Sequence, residues 1–478
     1  MAVAANALSV PVCVDLDGTL IRSDLLLESL LLLIKRNPLY LLLVPFWLLR
    51  GKAVLKDEIA SRVELNPAAL PYDQEFLKWL QAARAEGKSL WLCTASTRSL
   101  ADKVAAHLGI FDGVLASDRN VNLAGSNKAA QLVERFGEGG FDYCGNEHRD
   151  LLIWQRAHGA IVVRGGTRLE QEAARRSNVV QSFPSRSRPL KAMLRALRPH
   201  QWAKNVLIVV PLLAAHRVSD HAAVIAGLAA FVAFSLCASS VYLLNDLLDL
   251  EADRAHARKS KRPFAAGDLS ILAGLLMAPC LLAIAVGIAA FLPPKFWLVL
   301  ATYYTLTCAY SFVLKGKVLI DALALAGLYT LRIIAGSAAV LVALSFWFLL
   351  FSVFLFLSLA FVKRFAELEA LRRVGRLRAA GRGYHVEDLP LLQSLGTAAG
   401  YLSVLVLALY INSPEIQALY GEPKVIWILC VLMLYWVSRV WMLAQRGQMH
   451  DDPVVFALKD WQSIAIAVLA AVAVALAI

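Results

Sequence analysis

The chain has little that would carry it out of the cytosol or staple it together. Met1 to Val12 lacks the basic region and cleavage pattern of a signal peptide, so the first part of the protein is expected to stay cytosolic. The seven cysteines are odd in number and show no metal-ligand spacing. Cys13, Cys93 and Cys144 lie in apolar strand-like runs, and Cys237, Cys280, Cys308 and Cys430 in apolar helical ones, which argues for reduced thiols. Charge is also scarce: 18% of the 478 residues are charged against 59% hydrophobic. A mean hydropathy of +0.59 is too apolar for a soluble enzyme, while a net charge of +12 is too high for a chain that is membrane throughout.

What is present divides in two. Residues 1–190 mix strands, helices and charged loops, whereas from about Gln201 apolar runs of roughly 20 residues recur, the length that spans a bilayer core. The expectation is a multidomain protein, α/β over 1–190 and an all-α polytopic membrane domain over 191–478. About nine spans are expected, near 200–215, 222–246, 270–291, 296–313, 318–341, 345–363, 393–411, 424–444 and 461–478. The connections alternate in charge. Residues 251–268 carry Arg254, Arg258, Lys259, Lys261 and Arg262, and residues 363–392 carry Lys363, Arg364, Arg372, Arg373, Arg376, Arg378 and Arg382. The opposite loops offer little beyond Arg217, Lys295 and Lys424, so the positive-inside rule puts the basic loops and the first domain on the cytosolic face of the inner membrane. For most of the arginines, setting topology or touching anionic lipid is a sufficient role. No nucleic-acid partner is expected.

The stretch Asn245, Asp246, Leu247, Leu248, Asp249, Leu250, Glu251, Ala252, Asp253 closes the second apolar run. Asp246, Asp249 and Asp253 are spaced three and then four apart, which predicts one helix face with Asn245 beside it. The dipole at a helix C-terminus is already negative, so such a cluster calls for a counter-ion. Mg²⁺ takes one or two carboxylates plus phosphate oxygens, and the economical reading is a diphosphate held through metal at a membrane rim. A solvated helix end is the bland alternative. Other polar groups fall within or beside the spans on the same expected face: Lys204, Asn205, Tyr310, Lys315, Asp321, Arg332, Lys363, Arg364, Arg439 and Asp460. Arg332 follows Leu328 to Leu331 in an apolar run, where an unpaired guanidinium costs at least about 2.5 kcal/mol and so requires a polar cavity or a partner. Asp321, about three turns earlier, is expected on roughly the same face. Either could be structural, pairing with the other or with a neighbouring helix.

The motif Asn245 to Asp253, continued by Lys261, Arg262, Pro263, Phe264, Ala265, Ala266 and Gly267, resembles the first acidic motif of the UbiA superfamily of intramembrane prenyltransferases. Leu197 to Asn205 (LRPHQWAKN), Tyr310, Ser311, Lys315, Asp321, Arg332, Ala335, Gly336, Lys363, Arg364, Glu367 and Asp451 to Pro453 are similar to the decaprenyl-phosphate phosphoribosyltransferase branch. The second motif, where prenyl-diphosphate users carry two or more spaced acids, offers only Asp321 among Lys and Arg, which favours a smaller and more anionic donor. The resemblance implies transfer of a phosphoribosyl group from phosphoribosyl diphosphate to a polyprenyl phosphate. Asp246, Asp249 and Asp253 would hold Mg²⁺, and Lys204, Arg262, Lys315, Arg332, Lys363 and Arg364, with Tyr310, would grip phosphates. Asp321 would orient a sugar hydroxyl or a lysine. The alternative is a prenyltransferase acting on an aromatic or glycerol-lipid acceptor, with a noncatalytic first domain; a scaffold or transporter that only senses phosphorylated ligands is a further one.

In the first half, Val12 to Leu20 (VCVDLDGTL) reads as a buried strand ending in two acids and a turn glycine, and resembles the nucleophile loop of the haloacid dehalogenase superfamily. Asp15 at a strand's carboxyl end can attack phosphorus, while Asp17 can protonate the leaving alkoxide and later activate water. Thr94, ending a strand from Ser89 to Cys93, and Lys128, after a Gly-Ser-Asn turn, match the family's phosphate-binding positions, and Asp150 matches its last acid. Asn146 stands where the family commonly has aspartate, one negative charge fewer at the Mg²⁺ site implied for Asp15, Asp17, Asn146 and Asp150. The resemblance further implies a cap insertion near 24–75. Its runs Leu25 to Ile34 and Leu39 to Leu49 are almost wholly apolar yet too short to span, and with Trp47, Lys35, Arg36, Arg50 and Lys52 they predict docking at a membrane surface. A lipid-linked ribose phosphate would then be the phosphatase substrate. Ser, Arg and Pro between Gln181 and Arg188 read as a linker.

Overall fold

The computed structural model describes residues 10–119, 121–185, 188–256, 258–378, 382–449 and 452–477; the readings that fall on Met1 to Ser9, on Arg186 and Ser187 in the linker, and on Asp451 lie outside them. The chain divides into two units, one of residues 1–197 with 242–277, the other of residues 198–241 with 278–478.

The first unit is built on a six-stranded sheet of β1 (Val12–Val14), β2 (Leu90–Thr97), β3 (Gly113–Ser117), β4 (Asp142–Gly145), β5 (Gly159–Val163) and β6 (Val179–Phe183), in the order β3-β2-β1-β4-β5-β6. Every pairing is parallel. β1 is central and buried on both faces, and a strand in that place must be apolar at consecutive positions, as Val12, Cys13 and Val14 are. Val12, Val14, Leu90 and Leu92 pack on one face, Cys13, Cys93, Tyr143 and Val162 on the other. The order reverses between β1 and β4. Such a switch point leaves a crevice at the strands' carboxyl ends, where α/β sheets bind their ligands.

Helix α1 (Leu25–Arg36) starts at Asp24, whose carboxylate caps it by accepting from the Leu27 amide. A 3-10 turn (Pro38–Leu42) and helices Val44–Leu49 and Lys52–Ala60 complete the apolar insertion. Its own core is Leu33, Trp47, Leu55, Ile59 and Val63. The other face, Leu39, Leu42, Phe46 and Leu49, is exposed, Leu49 by 86%.

The second unit is helical. Among the described residues, six helices of the chain are long and apolar enough to cross a membrane: His221–Leu248, Ile271–Ala289, Ile320–Val340, Phe346–Arg373, Val386–Ile411 and Pro423–Gln445. Six of the nine expected spans meet this measure. The 200–215 run is a 3-10 stretch, Pro199–Ile208, and a five-residue helix, Val210–Ala214, with prolines at both starts. Pro294–Phe312 is helical but carries four Thr or Tyr residues between Thr302 and Thr305, and Trp461–Ala477 is only 17 residues long. The first basic residues expected in the loop 363–392 are instead helical, because Phe361, Val362, Phe365 and Leu368 continue the buried face and Glu369 pairs with Arg372 and Arg373 one turn on.

Candidate active sites

Five segments meet in the crevice of the parallel sheet. Asp15 follows β1, and its Oδ1 accepts from Lys128 Nζ at 2.7 Å; Lys128 comes from the first turn of the helix Ser126–Phe136. Lys128 also donates to the Tyr143 hydroxyl at 3.0 Å, which reaches Asp150 Oδ1 at 3.3 Å. Asp17 accepts from the Leu25 amide at 2.8 Å and from Ser96 Oγ at 2.7 Å. Thr94 is fully buried, its hydroxyl accepting from the Ser96 amide. Asn146 accepts from Thr19 Oγ1 at 3.0 Å and lies so close to Gly18, φ +74°, that a Cβ there would stand 2.3 Å from its side-chain nitrogen. Asp150 Oδ2 takes the Asn146 and Glu147 amides, both at 2.9 Å, and a Cβ on Gly145 would meet it at 2.5 Å. Glycine at 145 is thus what lets the carboxylate fold back over the strand end. Asp15, Asp17, Thr94, Lys128, Asn146 and Asp150 all come together here. Ser96 and Tyr143 join them without having announced themselves, since a serine and a tyrosine in strands look like ordinary sheet residues. Beside Asp17, a cleft of about 330 Å³ is lined by Arg22, Asp24, Asn146, Arg164 and Asp268.

Low dielectric governs the charges. Burial, with the Asp24 carboxylate close by, pushes Asp17 up to about 7, and burial with Asp15 pushes Asp150 up to about 6. Burial works against the Lys128 ammonium, but Asp15 and Asp150 outweigh it and hold the lysine above its ordinary value. Asp17 therefore titrates near neutrality, where a general acid–base group is most effective.

The acidic motif departs from the expected continuous face. The helix His221–Leu248 stops one residue short of Asp249, which sits at φ −104°, ψ 18° before a second short helix, Leu250–Arg254. Asp246 and Asp253, both 2% exposed, converge on one nitrogen of Arg262, at 3.0 and 2.6 Å. Asp249 is turned instead to Lys35 Nζ at 3.1 Å. Asn245 lies on the last turn of the long helix. Burial raises Asp253 despite Arg262. Among the described residues no three acidic, histidine or cysteine side chains converge as a ready metal site; two of the three expected carboxylates meet at one guanidinium and the third meets an ammonium. Two hard oxygen donors gathered at one cationic point still fit Mg²⁺, which completes its shell with phosphate oxygens and water.

In the second unit the polar residues form two linked groups. Asp452 accepts from Lys204 Nζ at 2.8 Å, Lys363 Nζ at 2.7 Å and the Tyr329 hydroxyl at 2.8 Å. Burial opposes its ionisation, but Lys363 and Lys204 hold its carboxyl well below the usual range. Arg332 does not pair with Asp321. Its Nε donates to Asn205 Oδ1 at 2.8 Å, one terminal nitrogen donates to the Tyr303 hydroxyl at 3.1 Å, and the guanidinium lies 5.1 Å from the Tyr303 ring centre and 5.5 Å from that of Tyr329. Asp321, fully buried, instead holds Arg364 Nε at 2.6 Å and accepts from the Tyr384 hydroxyl at 2.6 Å. Arg364 also donates to the Tyr310 hydroxyl at 2.9 Å and pairs with Glu367 at 2.8 Å. Lys315 sits on the 3-10 turn Leu314–Gly316 and is partly exposed. Asp452, the centre of the first group, was visible in the sequence only as part of an Asp-Asp-Pro run.

Comparison with known proteins agrees with this architecture. The family model of the UbiA prenyltransferase family matches residues 206–464, and that of haloacid dehalogenase-like hydrolases matches residues 12–152. The protein y4nM of Sinorhizobium fredii is 40% identical over 94% of this chain and 87% of its own length. Nodulation protein NoeC of Azorhizobium caulinodans is 37% identical over 58% of this chain and 90% of its own. Decaprenyl-phosphate phosphoribosyltransferase of Mycolicibacterium smegmatis is 37% identical over 44% of this chain and 68% of its own. The chain is a multi-pass membrane protein with a haloacid dehalogenase-like domain at its amino-terminal end, and it belongs to the UbiA prenyltransferase family.

Proposed function

We propose that the protein transfers a phosphoribosyl group from phosphoribosyl diphosphate to a polyprenyl phosphate, and that its first domain removes the terminal ribose phosphate to leave polyprenyl-phosphoryl ribose. Supporting this reading over a prenyl-diphosphate donor is the state of Asp321. It is locked between Arg364 and Tyr384, so among the described residues from Gln201 onward the acidic motif directs its oxygens at a cationic point while the single acid of the second motif is already paired. The relatives named decaprenyl-phosphate phosphoribosyltransferase point the same way.

In the transfer step the anomeric C–O bond to diphosphate breaks and an oxygen of the lipid phosphate forms the new C–O bond. The acceptor is already an anion and needs no general base. Mg²⁺ held by Asp246 and Asp253, with Asp249 beside them, would offset charge that builds on the departing diphosphate. Arg262, freed from those carboxylates, would grip the phosphates as a planar fork. Lys204, Lys315 and Lys363 are assigned to phosphate binding as point charges, Arg332, Arg364 and Tyr310 to holding them in place. In the second step Asp15 attacks the ribose phosphate, Asp17 gives its proton to the leaving sugar oxygen, and an aspartyl-phosphate forms. Asp17, now a base, activates the water that releases inorganic phosphate. Lys128 and Thr94 hold the phosphoryl oxygens. Mg²⁺ at this site would be held by Asp15 and the Asn146 amide oxygen, with Asp150 orienting the loop. Leu39, Leu42, Phe46 and Leu49, flanked by Lys35, Arg36, Arg50 and Lys52, would seat the cap on the cytosolic face of the inner membrane and bring the lipid-linked substrate within reach.

The experiment is mass spectrometry of lipid extracted after purified protein meets labelled phosphoribosyl diphosphate, polyprenyl phosphate and Mg²⁺. Wild type should yield the dephosphorylated product, Asp15→Asn should accumulate the phosphorylated lipid, and Asp249→Ala should form neither. Undiminished labelling by Asp249→Ala, or equal phosphate release by Asp15→Asn, refutes the respective step.

A further inference from the structure

Helix α1 carries three contacts in line. At its N-terminus the Leu25 amide donates to Asp17, the acid–base candidate of the sheet crevice. One turn on, Glu28 meets Arg254 in a two-pronged pair, Oε1 to Nη2 at 2.5 Å and Oε2 to Nη1 at 3.1 Å, with both side chains 10% exposed or less. Two turns further, in the last turn, Lys35 reaches Asp249. Arg254 immediately follows the acidic motif, and it is nearly saturated: its remaining donors go to the Ala265 carbonyl at 3.1 Å and that of Ala69 at 3.4 Å. The same segment is held by Arg195, which donates to the Lys261 carbonyl at 2.8 Å, and by Arg164, which donates to that of Gly267 at 3.2 Å.

The two ion pairs differ in kind. Glu28 and Arg254 are desolvated and joined by two charge-assisted hydrogen bonds, which fixes their geometry. Lys35 and Asp249 are 46% and 30% exposed, and a pair that open to solvent contributes little to folding. Its value lies in where it puts an ammonium group: against a carboxylate of the acidic motif, from the cap of the other domain. A lysine in that place is a point charge on a flexible stem, suited to following a phosphate.

We propose that Lys35 belongs to the donor-diphosphate site of the transferase, and that Glu28 and Arg254 are the positioning pair that delivers it, so that the phosphatase-like domain supplies part of the transferase's own site. The assignment rests on the reading of the acidic motif given above. Full-length protein in lipid nanodiscs is titrated with inorganic diphosphate and Mg²⁺ by calorimetry, and lipid labelling is measured against phosphoribosyl diphosphate concentration. Lys35→Ala should weaken diphosphate binding about tenfold, one charge-assisted contact, and raise KM for the donor more than it lowers kcat. Lys35→Arg should restore most of the loss. Glu28→Gln should move KM in the same direction. Diphosphate binding by Lys35→Ala equal to that of wild type overturns the proposal, as does the absence of any Mg²⁺-dependent diphosphate binding by wild type. Lys35-dependent binding without labelled lipid would leave Lys35 in place and remove the donor assigned under the proposed function.

Discussion

The sheet crevice and the acidic motif both gather carboxylates, and they solve the resulting repulsion differently. In the crevice the acids come from separate strand ends and are shielded by one buried lysine and by backbone amides, with Asp17 and Asp150 raised to about 7 and about 6. In the motif they come from eight consecutive residues, too close for distance to help, and guanidinium and ammonium groups from elsewhere in the chain neutralise them. A crevice of the first kind suits proton transfer, because its carboxyls titrate near the working pH. A cluster of the second kind suits exchange of one cation for another.

The largest test of that contrast is Asp246→Asn, which leaves Arg262 with one carboxylate and removes a metal donor. Lipid labelling should fall by about 100-fold or more, measured as kcat/KM, while Asp15-dependent phosphate release should persist on a supplied phosphomonoester. Next comes Gly145→Ala. A methyl 2.5 Å from Asp150 Oδ2 must displace a carboxylate that holds two amides, and overpacking of this kind costs about 1–3 kcal/mol, visible as a lower melting temperature with loss of phosphate release. Asn146→Asp should act in the opposite sense, restoring a negative ligand and tightening the Mg²⁺ requirement of phosphate release by about tenfold, since affinity follows ligand charge. The smallest effect is on pH dependence. Asp17 and Asp150 are raised above the ordinary 3.8, so their contribution to stability is complete below that value and is lost as pH rises through about 6 to 7. Chelator-treated protein should therefore lose melting temperature over that interval, and Asp17→Asn should lose less.

The sequence was most legible where one short motif carries a whole chemical idea. VCVDLDGTL announced a central strand with acids at its end, and β1 with Asp15 and Asp17 is what forms. Lys128 and Asp150 were legible because they recur in the expected order, and the crevice brings them together. Spacing misled at Asp249, where helical periodicity assumed a continuous helix and the chain breaks one residue earlier. For Asp321 and Arg332 spacing left two outcomes open, pairing with each other or with neighbouring elements, and the second is what forms: Asp321 meets Arg364, and Arg332 meets Asn205 and Tyr303. Three of the nine expected spans differ from the other six in local character: Pro199 and Pro211 shape the first into short helical pieces, the Thr–Tyr run at 302–305 lowers the hydropathy of another, and the last has a helix of only 17 residues.

The amino-acid order by itself determined the apolar strand before Asp15, the apolar helices and the identity of the acids at the two candidate sites, since each depends on neighbours a few positions away. Only the tertiary structure decided which cation answers which carboxylate. Lys35 lies 214 residues from Asp249 and Glu28 lies 226 from Arg254, separations at which no local periodicity operates and only the folded chain determines what meets.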